Sequence, residues 1–167
     1  MKKTFFVILL GIFTQLSVFS QNKSLEKIFD HYSAKEEYTV VSIGESMISS
    51  VDMFALNDNL KDMTSGIKSL KIIASTDDSD VDKNTLQKRE ALNKALDGDV
   101  KKVMNKENFE ILLQARDGGD NIEIYKKPFK NKESDFVLLV KSDDSEYVVI
   151  WIYGEIDSKK ITKTFSE

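Results

Sequence analysis

The chain predicts an α+β domain: a single mixed β-sheet of about six strands ending in an antiparallel meander, with helices mainly on one face. Three observations carry that expectation. Ser134 to Gly154 (SDFVLLVKSDDSEYVVIWIYG) holds two dense apolar runs rich in β-branched and aromatic residues, separated by a polar stretch that suits a hairpin. In its second run Tyr147, Val149, Trp151 and Tyr153 alternate with Val148, Ile150 and Ile152, and a strand apolar on both faces belongs in the middle of a sheet. Upstream, Asp117-Gly118-Gly119-Asp120 marks a tight turn between two further strands, Phe109 to Arg116 and Asn121 to Lys126.

The earlier elements follow from periodicity. Leu25, Ile28, Phe29 and Tyr32 form a helical stripe with Ser24 as its cap. Tyr38 to Ile43 is a short strand ended by Gly44. Glu45 to Ser65 is helical again, with Met47, Val51 and Phe54 on one stripe and Met53, Leu56, Leu60 and Met63 on another, which two helices explain better than one. Gly66 is placed to cap the second of them, and Ile67 to Ala74 is a strand. A long helix follows, burying Val81, Leu92, Ala95, Leu96, Val100 and Val103, with a break allowed at Gly98. Pro128 ends the strand before the last hairpin, and a short closing helix from Asp157 would bury Ile161 and Phe165. The two early crossovers through helices suggest parallel pairing.

Residues 1–20 stand apart. Met1-Lys2-Lys3 precedes a largely apolar run from Phe5 to Phe19, and Val18-Phe19-Ser20 suits a signal peptidase, so 1–20 is read as a secretory signal peptide and 21–167 as one domain. A membrane anchor is the alternative, but Thr14, Gln15 and Ser17 interrupt the run. The chain has no cysteine, which excludes a lipoprotein attachment site and any disulfide. Removing the leader takes away two lysines and no acid, moving the formal charge from −4 to −6. That acidity argues against nucleic acid and anionic lipid as partners; Lys101-Lys102 and Lys126-Lys127 are read as solvated faces.

Few residues offer chemistry. His31 is the only histidine, which removes most metal sites and nucleophilic triads. Gly44-Glu45-Ser46 has the start of a nucleophile elbow, but Ile48 stands where the second glycine belongs and His31 precedes the serine; a strand-to-helix turn is the plainer reading. In the acidic loop Asp77 to Asp82, Asp78, Asp80 and Asp82 have the opening spacing of a calcium loop. Lys83 and Arg89 occupy its glycine and glutamate positions, so a solvated, helix-capping loop is preferred. No glycine-rich phosphate loop is present, and no pair among the 28 acids stands out for glycoside hydrolysis. Trp151, Tyr153 and Tyr147 are the candidate ligand or partner surface, against the alternative that aromatics at period two on a central strand are core. Met47, Met53 and Met63 are read as core filler rather than an adaptable binding surface. No catalytic, metal or cofactor residue is assigned.

Several stretches together resemble a known family: the Phe29-Asp30 helix after the leader, VSIGESMIS at Val41 to Ser49, FEILLQARDGGDNIEIYKK at Phe109 to Lys127, SDFVLLV at Ser134 to Val140, and YVVIWIYGEID at Tyr147 to Asp157 followed by Ile161. Their order is similar to that of the small secreted bacterial proteins grouped as domain of unknown function 4252, over nearly all of the mature chain. The resemblance implies no activity, ligand or catalytic residue. Many members of that family look like lipoproteins, which this cysteine-free chain does not. Members are associated with envelope or sigma-factor regulatory neighbourhoods.

The expectation is therefore an exported periplasmic or envelope protein, not an enzyme, that binds another envelope protein. The alternative is a small apolar-ligand carrier with a pocket between sheet and helices. An exposed apolar patch or sheet edge would favour the first, and an unfilled apolar cavity the second.

Overall fold

The computed structural model describes residues 22–50, 66–75, 83–142 and 146–157, leaving out the side chains of 49 and 50. Within them lie the helices α1 (Lys23–Ser33), α2 (Glu45–Ser50) and α3 (Lys83–Lys106). The strands are β1 (Tyr38–Gly44), β2 (Ile67–Ser75), β3 (Glu110–Asp117), β4 (Asp120–Pro128), β5 (Ser134–Lys141) and β6 (Tyr147–Gly154). The expected leader, the second helix expected within Glu45 to Ser65, the acidic loop Asp77 to Asp82 and the closing helix expected from Asp157 fall outside the described residues.

One six-stranded sheet runs in the order β1-β2-β6-β5-β4-β3, with every neighbouring pair antiparallel. The fold class is α+β, as expected, and the run from Ser134 to Gly154 does supply the two central strands. The parallel pairing expected of the early strands is corrected. The chain between β1 and β2 returns at the same end, so they pair antiparallel. The crossover through α3 does join two strands of like direction, β2 and β3, but β6, β5 and β4 lie between them.

Local chemistry sets the helix ends. Asn22, rather than Ser24, caps α1: its Oδ1 accepts the backbone N–H of Ser24 at 3.1 Å and of Leu25 at 3.2 Å. Helix α3 continues through Gly98, which has open space around it, and stops at Asn108 in the left-handed region with φ 58°. There the Phe109 N–H reaches Met104 O at 2.9 Å and the Asn108 N–H reaches Asn105 O at 3.3 Å, the paired bonds of a Schellman stop.

Helices α1 and α3 cover one face of the sheet. Leu25, Ile28, Phe29 and Tyr32 of α1 and Leu96, Val100 and Met104 of α3 pack with Ile73, Val137, Leu139, Val149 and Trp151. The Phe29 and Trp151 rings lie 5.6 Å apart. On the opposite face the register aligns Val41, Ile72, Ile150, Leu138, Ile124 and Leu113 across all six strands. There Ile124, Phe136 and Leu138 are buried and Ile156 folds back onto them. The chain leaves β6 through a close backbone crossing. A Cβ on Gly154 would stand 2.1 Å from Gly66 O, and the Glu155 N–H donates to that same oxygen at 2.9 Å.

Candidate functional site

Tyr147, Trp151 and Tyr153 share one face of β6, and that face is the one the helices cover: each is 3% exposed or less. Burying an indole or phenol leaves a polar tip to satisfy, and each finds a carboxylate. Tyr147 OH donates to Asp97 of α3 at 3.0 Å, Trp151 Nε1–H donates to Asp135 of β5 at 2.8 Å, and Tyr153 OH donates to Glu133. Burial, reinforced by these acceptors, holds both tyrosines far above the ordinary phenol range. Two more rungs repeat the pattern, with Tyr125 on Glu123 at 2.8 Å and Tyr32 on Asp99 at 2.9 Å.

Sequence reasoning passed over the acids that complete these rungs. Asp135 is the most unusual, being fully buried with only one oxygen engaged; its Oδ2 has no hydrogen-bond partner. In register it sits between Lys127 of β4 and Tyr153 of β6. Burial pushes its carboxyl up to about 7, against the opposing pull of Trp151, Lys127 and the Asn22 amide. Beside it Glu107 accepts from Asn22 at 2.6 Å and pairs with Lys127 at 2.5 Å, joining the α1 cap, the end of α3 and β4. The signal was available: Asp135 shares period two with Val137 and Leu139, and both of those face the core.

A recess of about 210 Å³ opens where α3 meets the β5–β6 turn, with Tyr147 on its wall and Glu90, Lys94, Asp97, Lys141 and Glu146 around it. Asp97 there is already bridged by Lys141 at 3.1 Å and Lys101 at 3.3 Å. The lining is charged, and the volume is below the roughly 300–1,000 Å³ of usual small-molecule sites. Ser46 is an exposed residue in the first turn of α2, and His31 is exposed in the last turn of α1, edge-on to Tyr32 at 5.0 Å. Among the described residues no three acidic or imidazole side chains gather as a metal site. Among them, too, no helix is long and apolar enough to cross a membrane.

The two edges of the sheet differ in kind. Strand β3 carries Glu110, Arg116 and Asp117 and is broken by a register shift between Ile111 and Leu113, devices that discourage a further strand. Strand β1, YTVVSIG, has seven residues with no charge, no proline and an unbroken register to β2. Among the described residues β2 is its one sheet neighbour. Thr39, Val41, Ser42 and Gly44 are exposed along it, and α2 adds Met47 at its end; Val41 is 39% and Met47 51% exposed. Tyr38 OH, on Asn93 at 3.1 Å, and the Lys88–Glu37 pair at 2.5 Å tie the start of the strand to α3. The other edge residue of this kind, Ile111 at 59%, lies beside the bulge of β3.

No curated protein and no solved structure matches the chain. The family described as Domain of unknown function (DUF4252) matches residues 32–164, from the last turn of α1 through the whole sheet and beyond it. The chain belongs to that family.

Proposed function

We propose that this protein is an exported, envelope-located interaction module that works by binding another polypeptide along the β1 edge rather than by turning over a substrate. The observation that carries the reading is β1 itself: an unbulged, uncharged strand at the rim of the sheet, with Val41 and Met47 exposed beside it. A row of rim N–H and C=O groups is a ready template for an added strand, and exposed side chains at alternate positions supply selectivity. The N-terminal pattern of Met1 to Ser20 supports export. The test is a photo-crosslinking amino acid at Thr39 in living cells of the native host. A discrete covalent adduct is expected from Thr39, none from the same group at Glu110 on β3, and none from Thr39 once Val41→Lys places a charge on the edge. A ladder of adducts common to both edges, or no adduct from Thr39, would sink the reading.

The ligand-carrier alternative has one observation of its own, the recess against Tyr147. In that reading Tyr147 is the wall of the site, and Trp151 and Tyr153 support the strand from beneath the helices. Native mass spectrometry of protein purified from its host would show a small molecule retained by the wild type and lost on Tyr147→Ala.

A further inference from the structure

We infer that the strand received by β1 is the β1 strand of a second copy of this chain, paired antiparallel about a two-fold axis through Val41. The inference rests on the edge-binding reading above and names its occupant. In a two-fold pair every residue meets a fixed partner: Val41 meets Val41 of the other copy, Val40 meets Ser42, Thr39 meets Ile43 and Tyr38 meets Gly44. None of these pairs sets like charges opposite one another, the arrangement that penalises symmetric strand pairing. The same operation on β3 sets Glu110 opposite Asp117, across a strand already bulged. A head-to-tail union of β1 with β3 would need that bulged, charged edge as well, so the closed dimer is the arrangement the two edges permit. The acids flanking β1, Glu37 and Glu45, fall beyond its ends, and Glu37 already pairs with Lys88.

The gain is both polar and apolar. Rim backbone groups exchange water for one another, and Val41 is covered by its own copy. On that face the row Val41, Ile72, Ile150, Leu138 continues without interruption into the second sheet, making one sheet of twice the width.

The native chain has no cysteine, so one introduced thiol reports on this geometry without background. Residues facing each other across an antiparallel pair have Cα atoms about 4.5–5.5 Å apart, within the range a disulfide spans. The two copies of residue 39 would be offset by four residues, about 14 Å. Val41→Cys is therefore expected to form a disulfide dimer on mild oxidation of the folded protein at least about tenfold faster than Thr39→Cys or Ile43→Cys alone. A mixture of the Thr39→Cys and Ile43→Cys proteins should give the crossed dimer. Sedimentation of the unmodified protein needs no substitution, and its mass should rise towards twice the monomer value as concentration is raised. Equal oxidation rates at 39 and 41, or a wild type that stays monomeric, would overturn the inference. A monomer whose Thr39 crosslinker still captures a discrete host protein overturns self-pairing alone and leaves the edge-binding reading standing. Absence of any adduct, of self or other, overturns both.

Discussion

Replacing Asp135 with asparagine should abolish a fall in stability that the wild type shows as pH rises from about 4 to about 7. Burial holds the native carboxyl up at about 7, above its ordinary value of 3.8. Between those values the folded chain keeps a proton that the unfolded chain has released, so stability declines with pH until both states are ionised. At 1.36 kcal/mol per pH unit the whole decline is worth about 4 kcal/mol. Groups facing Asp135 set the background: the Trp151 N–H and the Lys127 charge favour the ionised form, Glu107 opposes it, and Asn22 lends its amide. Glu37, Glu107, Glu123 and Glu133 all lie below the usual carboxylate range, so what they add rises with pH through their ordinary value of 4.5, overlaps only the foot of this decline and is shared by both proteins. Asparagine keeps an acceptor for Trp151 Nε1–H and puts an amide where the acid carried its proton. The variant should resemble wild type near pH 4 and exceed it by a few kcal/mol near pH 8. Trp151 is the only tryptophan, so its fluorescence in urea titrations reports both unfolding and the state of its carboxylate partner. Equal pH slopes in the two proteins, or a native carboxyl resonance at Asp135 titrating below about pH 5, would refute the reasoning.

Other perturbations test separate parts of the account. Gly154→Ala drives a Cβ to 2.1 Å from Gly66 O and should cost at least about 2–3 kcal/mol in urea unfolding. Gly98→Ala, in open space within α3, should instead stabilise by about 0.5–1 kcal/mol. Burial alone would raise the Glu123 carboxyl, but Asn121, Tyr125 and Lys101 together bring it down to about 2. Its contribution is therefore present above the ordinary carboxylate value and lost as pH falls towards 2. Glu123→Gln should cost about 2 kcal/mol at neutral pH and shrink the loss on acidification, read from unfolding at each pH. Protein recovered from an exporting host should begin at Gln21 on N-terminal sequencing; an intact Met1 would contradict the leader.

Much of the sheet was legible because period-two patterns report burial directly. Tyr147, Val149, Trp151 and Tyr153 against Val148, Ile150 and Ile152 demanded a strand covered on both faces, and β6 lies near the centre. Pairing direction was not legible. The length of the α3 crossover says that the chain returns in the same sense, but not that three later strands will come between β2 and β3. The caps were half visible: Ser24 and Asn22 are both good N-caps, and only geometry shows that Asn22 Oδ1 meets the two free N–H groups. Asp135 shows why charged residues mislead a reading by composition. An acid next to an apolar run looks like a strand end, whereas its alternation with Val137 places it inside. The β1 edge lies at the far limit of what sequence carries. The lack of charge in YTVVSIG is plain in the chain, but edge position depends on which strands β2 selects as neighbours.

Residue-resolved amide hydrogen exchange across β1, measured as protein concentration is raised, tests the central claim most directly. The open-edge account predicts that alternate amides between Tyr38 and Gly44 exchange freely in dilute solution and gain protection on concentration, while β3 stays unchanged. Uniform protection of β1 at every dilution, or protection gained along β3 instead, would contradict it.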